Sequence, residues 1–98
     1  MSYNESSEWD EKSEMECLVI FKKLEAEKFP RGKQMEYCQT LSLNTNLDVG
    51  NISATVSNYK SVAGVNNHSN ASENTKRLYQ QYRNLSVTEI EAIIGKMV

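Results

Sequence analysis

Asp48-Val-Gly-Asn-Ile-Ser-Ala-Thr-Val-Ser-Asn-Tyr-Lys-Ser-Val62 settles helix against strand for this chain. Ile52, Val56, Tyr59 and then Val62 or Ala63 recur at intervals of four, three and three residues, one apolar stripe on a 3.6-residue period. Between them stand Asn51, Ser53, Thr55, Ser57, Asn58 and Lys60, a small and hydrogen-bonding outer face. Asp48 starts this helix, and Gly64 closes it as a left-handed cap.

The same period extends in both directions. Upstream, a helix fits Gly32 to about Leu43, with Met35, Cys38, Gln39 and either Leu41 or Ser42 turned to the core, before Asn44-Thr45-Asn46 breaks it. A longer helix precedes it, capped by Ser7 and running to about Phe29. Its acids crowd the first turns and its lysines the last, as the helix dipole prefers. Trp9, Leu18, Phe21 and Leu24, with Cys17 and Ile20, give it a broad apolar face. Pro30 ends it and pushes Phe29 out of the helical region. Downstream, a polar loop over 65–71 leads to a helix from Ser72 to about Leu85, striped by Leu78, Tyr79, Tyr82 and Leu85. Ser86-Val-Thr-Glu89 is a capping box opening a short fifth helix. No stretch alternates with period two. The expected fold is all-α, four or five short helices with a helix-turn-helix-like unit, in a single domain over 7–98 behind a disordered 1–6.

Composition fits one small domain, or one excised from a longer protein: 98 residues, 39% hydrophobic and 24% charged. Such a chain affords a modest core and no deep cavity. The longest apolar run, Cys17 to Phe21, is five residues, against the ~20 a membrane span needs. With no leader-like start and only two cysteines, the expected setting is cytoplasmic with reduced thiols. The Asn-x-Ser sequons at Asn4, Asn51, Asn67, Asn70 and Asn84 carry no weight there. The net charge of −2 conceals an asymmetry. Residues 1–16 hold six acids against Lys12, whereas 17–85 hold nine Lys or Arg against five acids. The middle of the chain can therefore present a basic face.

Catalysis has few candidates. His68 is the sole histidine, set among Asn and Ser with no acid or cysteine beside it. Cys17 and Cys38 stand 21 residues apart with no paired-ligand spacing, and no Gly-rich phosphate loop is present. Neither an enzyme nor a metal or cofactor is expected of this chain.

The segment 33–63 carries more. Two helices across a tight polar connection, the second small and polar outside, suit a helix-turn-helix unit on double-stranded DNA. On that face Asn58 can pair with adenine, the Thr55 methyl can touch thymine, and Lys60 can meet a phosphate or a guanine. Phosphate contacts are expected from Arg31, Lys33, Lys60, Lys76 and Arg77. The terminal stripe Ile90, Ile93, Ile94 and Met97 either pairs two copies as a homodimer or folds back on the first helix.

A resemblance supports the DNA reading. Asn51 to Val62, then Asn70-Ala-Ser72, then Thr75-Lys-Arg-Leu-Tyr-Gln-Gln-Tyr82 resemble a small N-terminal domain of bacteria and their mobile elements. That domain precedes HNH-type, McrA-like endonucleases and opens replication initiators of phage satellites. Trp9, Asp10, Glu11 and Glu14 match its acidic, Trp-bearing first helix, and Asn58-Tyr-Lys-Ser-Val62 matches its Asn-aromatic helix. Ala63-Gly64 stands where that pattern has Asp-Pro, Tyr79 where it has Trp, and the Gly50-Asn51 region where it has Arg. The resemblance implies sequence-specific DNA binding that directs a separate nuclease or replication-initiation module. The acidic first 16 residues suit a different reading, a protein-interaction module of a small phage or mobile-element factor.

Overall fold

The run Cys17-Leu-Val-Ile-Phe21 is apolar on every side of a helix, and such a helix must be covered on every side. The computed structural model, which describes residues 11–65 and 73–96, shows how. Five helices form: α1 (Glu11–Ala26), α2 (Lys33–Thr45), α3 (Val49–Val62), α4 (Glu73–Tyr82) and α5 (Val87–Gly95). The fold is all-α, with no strand among the described residues. Helix α1 packs against each of the others, and α3 packs against α1, α2 and α4.

The core follows that plan. Cys17, Leu18 and Phe21 of α1 are fully buried with Ile52, Val56 and Tyr59 of α3, Cys38 of α2, Leu78 of α4 and Ile90 of α5. The stripe that defines α3 in the sequence is its buried face. Phe21 is the aromatic centre, with ring centroids 6.0 Å from Phe29, 6.3 Å from Tyr59 and 6.0 Å edge-on from Tyr79. Tyr59 takes its hydroxyl into the core, where it donates to the Glu14 carbonyl oxygen at 3.1 Å. The Glu14 side chain is itself buried and accepts from the Thr75 hydroxyl at 3.2 Å, which ties the start of α4 to α1.

Helix ends come from local chemistry. α1 stops at Ala26 rather than Phe29, because Lys28 and Phe29 both take positive φ (64° and 54°). The Phe29 N–H donates to the Leu24 carbonyl and the Lys28 N–H to that of Glu25, the paired bonds of a Schellman motif. Phe29 thus leaves the helix as the following proline requires, and its ring turns back onto Phe21. Gly64 (φ 82°) closes α3 by the same pair of bonds, Val65 N–H to Lys60 and Gly64 N–H to Ser61. Asp48 caps α3 by accepting from the Asn51 N–H at 2.9 Å. Ser86 and Glu89 form the reciprocal capping box.

Some expectations are corrected. α2 continues to Thr45, whose hydroxyl donates back to the Leu41 carbonyl at 2.6 Å; the break falls at Asn46, in left-handed conformation. α4 ends at Tyr82 rather than Leu85. On α2, Cys38 alone is fully buried; Met35 is 46% exposed and Gln39 lies outside, so these two do not join the core. Of the two alternatives for the terminal stripe, α5 folds back on α1 and buries Ile90 and Ile94, with Ile93 half-buried beside them. Met97, the Ser7 and Ser72 caps, Trp9, residues 1–6, Asn70 and His68 lie outside the described residues.

The position of α5 has a measurable consequence. Ile90→Ala is expected to lower the unfolding free energy by ~2–5 kcal/mol in urea titration, as for a large core side chain. The half-buried Ile93→Ala should cost less. Light scattering should show the same association state for both variants as for wild type; dissociation of a wild-type dimer by either change would return the stripe to an interface.

Candidate nucleic-acid interface

The turn between α2 and α3 is three residues, Asn46-Leu47-Asp48. Asn46 supplies the left-handed bend, its N–H donating to the Ser42 carbonyl at 3.0 Å. Leu47 is buried beneath the turn, and the Ser42 hydroxyl donates to its carbonyl at 2.6 Å. The connection is therefore tight and pinned from inside.

What α3 shows to solvent differs from the polar set read in the sequence. Thr55 is buried, 9% exposed, on the same side as Ile52 and Val56. Ser53, Ser57 and Lys60 turn sideways to α2, where Gln34 meets all three. The outward row is Asn51, Ala54, Asn58 and Ser61, at successive steps of three, four and three residues on one helical face. Asn51 and Ala54 are exposed; Asn58 and Ser61 are half-buried, and each has a further interaction partner. Gly50 is exposed beside Asn51. The open part of α3 is thus its first two turns. Sequence reading retains Asn51 and Asn58 on this row and misses Ala54. Burial at Ile52 and Val56 is the signal that would have placed Ala54 opposite the core.

The basic residues separate into two groups. Arg31 is exposed, with no ion-pair or hydrogen-bond partner among the described residues. Lys33 lies near Glu36 at 3.7 Å and over the Tyr37 ring at 5.7 Å. The Lys60 ammonium lies 5.5 Å over the Phe29 ring. These three sit where α1 ends and α2 begins. Arg77, by contrast, is paired with Glu11 at 2.7 Å, at the other end of α1, and Lys76 lies 3.7 Å from Glu73. A helix of 16 residues spans ~24 Å, so Lys76 and Arg77 do not join the cluster at the start of α2. The Tyr37 hydroxyl donates to Glu27 at 2.8 Å, a bond that, with the nearby carboxylate charge, holds the phenol above its usual value.

A second surface feature is an open groove of about 150 Å³ between α1, α2 and α5. Val19, Ile20 and Leu41 floor it, Tyr37 and Thr40 wall it, and Lys23 and Glu91 approach across it at 3.9 Å. Among the described residues no cluster of His, Cys, Asp and Glu is placed to hold a metal ion, and no helix is long and apolar enough to cross a membrane. Both cysteines are fully buried, free thiols. Burial, then the charge of Glu14, pushes the Cys17 thiol far above its ordinary value. Burial also raises Cys38, against an opposing hydrogen bond with the Ser53 side chain.

No family model, curated protein or solved structure matches this chain.

The thiols make this environment measurable. In the folded protein both should resist an aromatic disulfide reagent, reacting orders of magnitude more slowly than in denaturant. Because their folded values are raised, the stability they confer is complete below the ordinary thiol value of 9.0 and is lost as pH rises above it. The urea midpoint should therefore fall between neutral pH and about pH 10. Rapid labelling of Cys17 in native buffer would contradict the buried placement.

Proposed function

We propose that this chain is a double-stranded DNA-binding domain that reads sequence through the exposed first turns of α3 and directs a separate nuclease or replication-initiation module. One observation carries the reading: α2 and α3 pack on each other across a pinned three-residue turn, with Gly50, Asn51 and Ala54 left open at the start of the second helix. In helix-turn-helix units the N-terminal residues of the second helix meet base edges while the first helix crosses the backbone. Small side chains let that helix approach closely. An Asn amide can donate to adenine N7 and accept from its N6 amino group, a pairing no other base offers in the major groove. Arg31, Lys33 and Lys60, grouped at the start of α2, supply the phosphate side. Lys76 and Arg77 fall outside this footprint, and the isoleucines of α5 are spent on the core, so the reading needs no pairing of copies through them.

A second reading, a protein-interaction module, draws on the groove between α1, α2 and α5 and on Leu43 of α2, which is 86% exposed.

Selection from a randomised duplex pool, followed by anisotropy titration against calf-thymus competitor, separates the two. DNA binding should enrich a short motif. Asn51→Ala should then lose ~1–3 kcal/mol at one position of that motif and leave the other positions unchanged. A pool that stays random, with no duplex affinity at low salt, would overturn the reading.

A further inference from the structure

Gln34, in the first turn of α2, makes more cross-helix polar contacts than the sequence gives reason to expect. Its amide nitrogen lies 3.3 Å from the Ser53 carbonyl oxygen and 3.2 Å from the hydroxyl oxygens of both Ser53 and Ser57, all acceptors on α3. Its carbonyl oxygen accepts from the Lys60 ammonium at 3.1 Å. Only an amide serves both ends: the nitrogen donates to a helix carbonyl that a carboxylate would repel, and the oxygen receives a cation. The reach is also specific, since one side chain spans two turns of the neighbouring helix.

Lys60 is consequently held. A lysine on a helix surface ordinarily samples many rotamers. Here Gln34 fixes the ammonium from one side and the Phe29 ring lies beneath it at 5.5 Å. An ammonium has three N–H donors. Gln34 takes one, and the ammonium has no other hydrogen-bond partner among the described residues. The held cation belongs to the last turn of α3 and is bonded to the first turn of α2, the helix that also carries Lys33 and that crosses the backbone when such a unit docks.

We infer that Gln34 is a positioning residue that presents Lys60 to a DNA phosphate, so that Lys60 contacts the backbone rather than a base. The inference rests on the DNA-binding reading and adds to it a residue that touches no DNA itself. Binding that depends on one fewer phosphate shows as a lower slope of log affinity against log salt, by about 0.9 per contact on a duplex. A residue that merely stabilised the fold would change melting without changing that slope.

The test uses the full chain on its selected duplex, titrated between about 50 and 200 mM salt. Lys60→Ala should lower the slope by about 0.9, and Gln34→Met, which keeps the seam filled but has no polar end, should lower it by the same amount. The double variant should lower it no further, because both changes remove a single contact. Gln34→Asn keeps the amide but withdraws it by one carbon, and should also lose the contact; it serves should Gln34→Met melt below the assay temperature. A wild-type slope in the folded Gln34 variants, or losses that add in the double variant, overturns the inference and leaves the DNA-binding reading intact. A wild-type chain that binds no duplex overturns both.

Discussion

Everything in this fold is arranged around the need to cover α1. Its central run is apolar all round, so one neighbouring helix cannot satisfy it, and four short helices close on it from different sides. Phe21 marks the point where this coverage is tightest, with aromatic rings from the α1–α2 connection, α3 and α4 converging on it. The Tyr59 hydroxyl and the Thr75 hydroxyl then tie α3 and α4 to the same turn of α1 at Glu14. Buried polar groups need partners, so these bonds fix the rotation of both helices as well as their proximity.

That constraint reaches the candidate interface through α3. With Ile52, Thr55, Val56 and Tyr59 committed inward, α3 has two remaining sides. One faces α2 and is polar: Ser53, Ser57 and Lys60 meet Gln34 there, and Cys38 supplies the apolar pivot. The other is the row of Asn51, Ala54, Asn58 and Ser61. A surface that reads DNA bases must be both rigid and open. The first two turns of α3 follow a turn held by the Asp48 cap and the buried Leu47, and Asn51 and Ala54 are exposed there.

The charge pattern follows the same geometry. The basic middle of the chain counts as one excess of charge in sequence, yet the fold divides it. Arg77 answers Glu11 at one end, while Arg31, Lys33 and Lys60 collect at the other. Four of the nine basic residues of 17–85, Lys23, Lys33, Lys76 and Arg77, lie within 4 Å of the chain's own acids. A linear count of charges cannot register that separation, which depends on which ends of α1 the other helices meet.

Legible along the chain were the all-α class, a set of four or five helices, the starts of α2, α3 and α5, and the end of α3. Those features are made within a few residues: the stripe at Ile52, Val56 and Tyr59, the Ser86–Glu89 box, the Asp48 cap, and the left-handed closure at Gly64. It also specified which stripes are apolar, but not what each would meet. The isoleucines of α5 read equally as a seam between copies or as core, and only packing on α1 made them core. The polar positions of α3 read as one outer face, and only the placement of α2 divided them among the core, the Gln34 seam and solvent. Local hydrogen bonds and period are written along the chain. The facing of one helix to another depends on every helix competing for the same surface of α1, and that is settled in three dimensions.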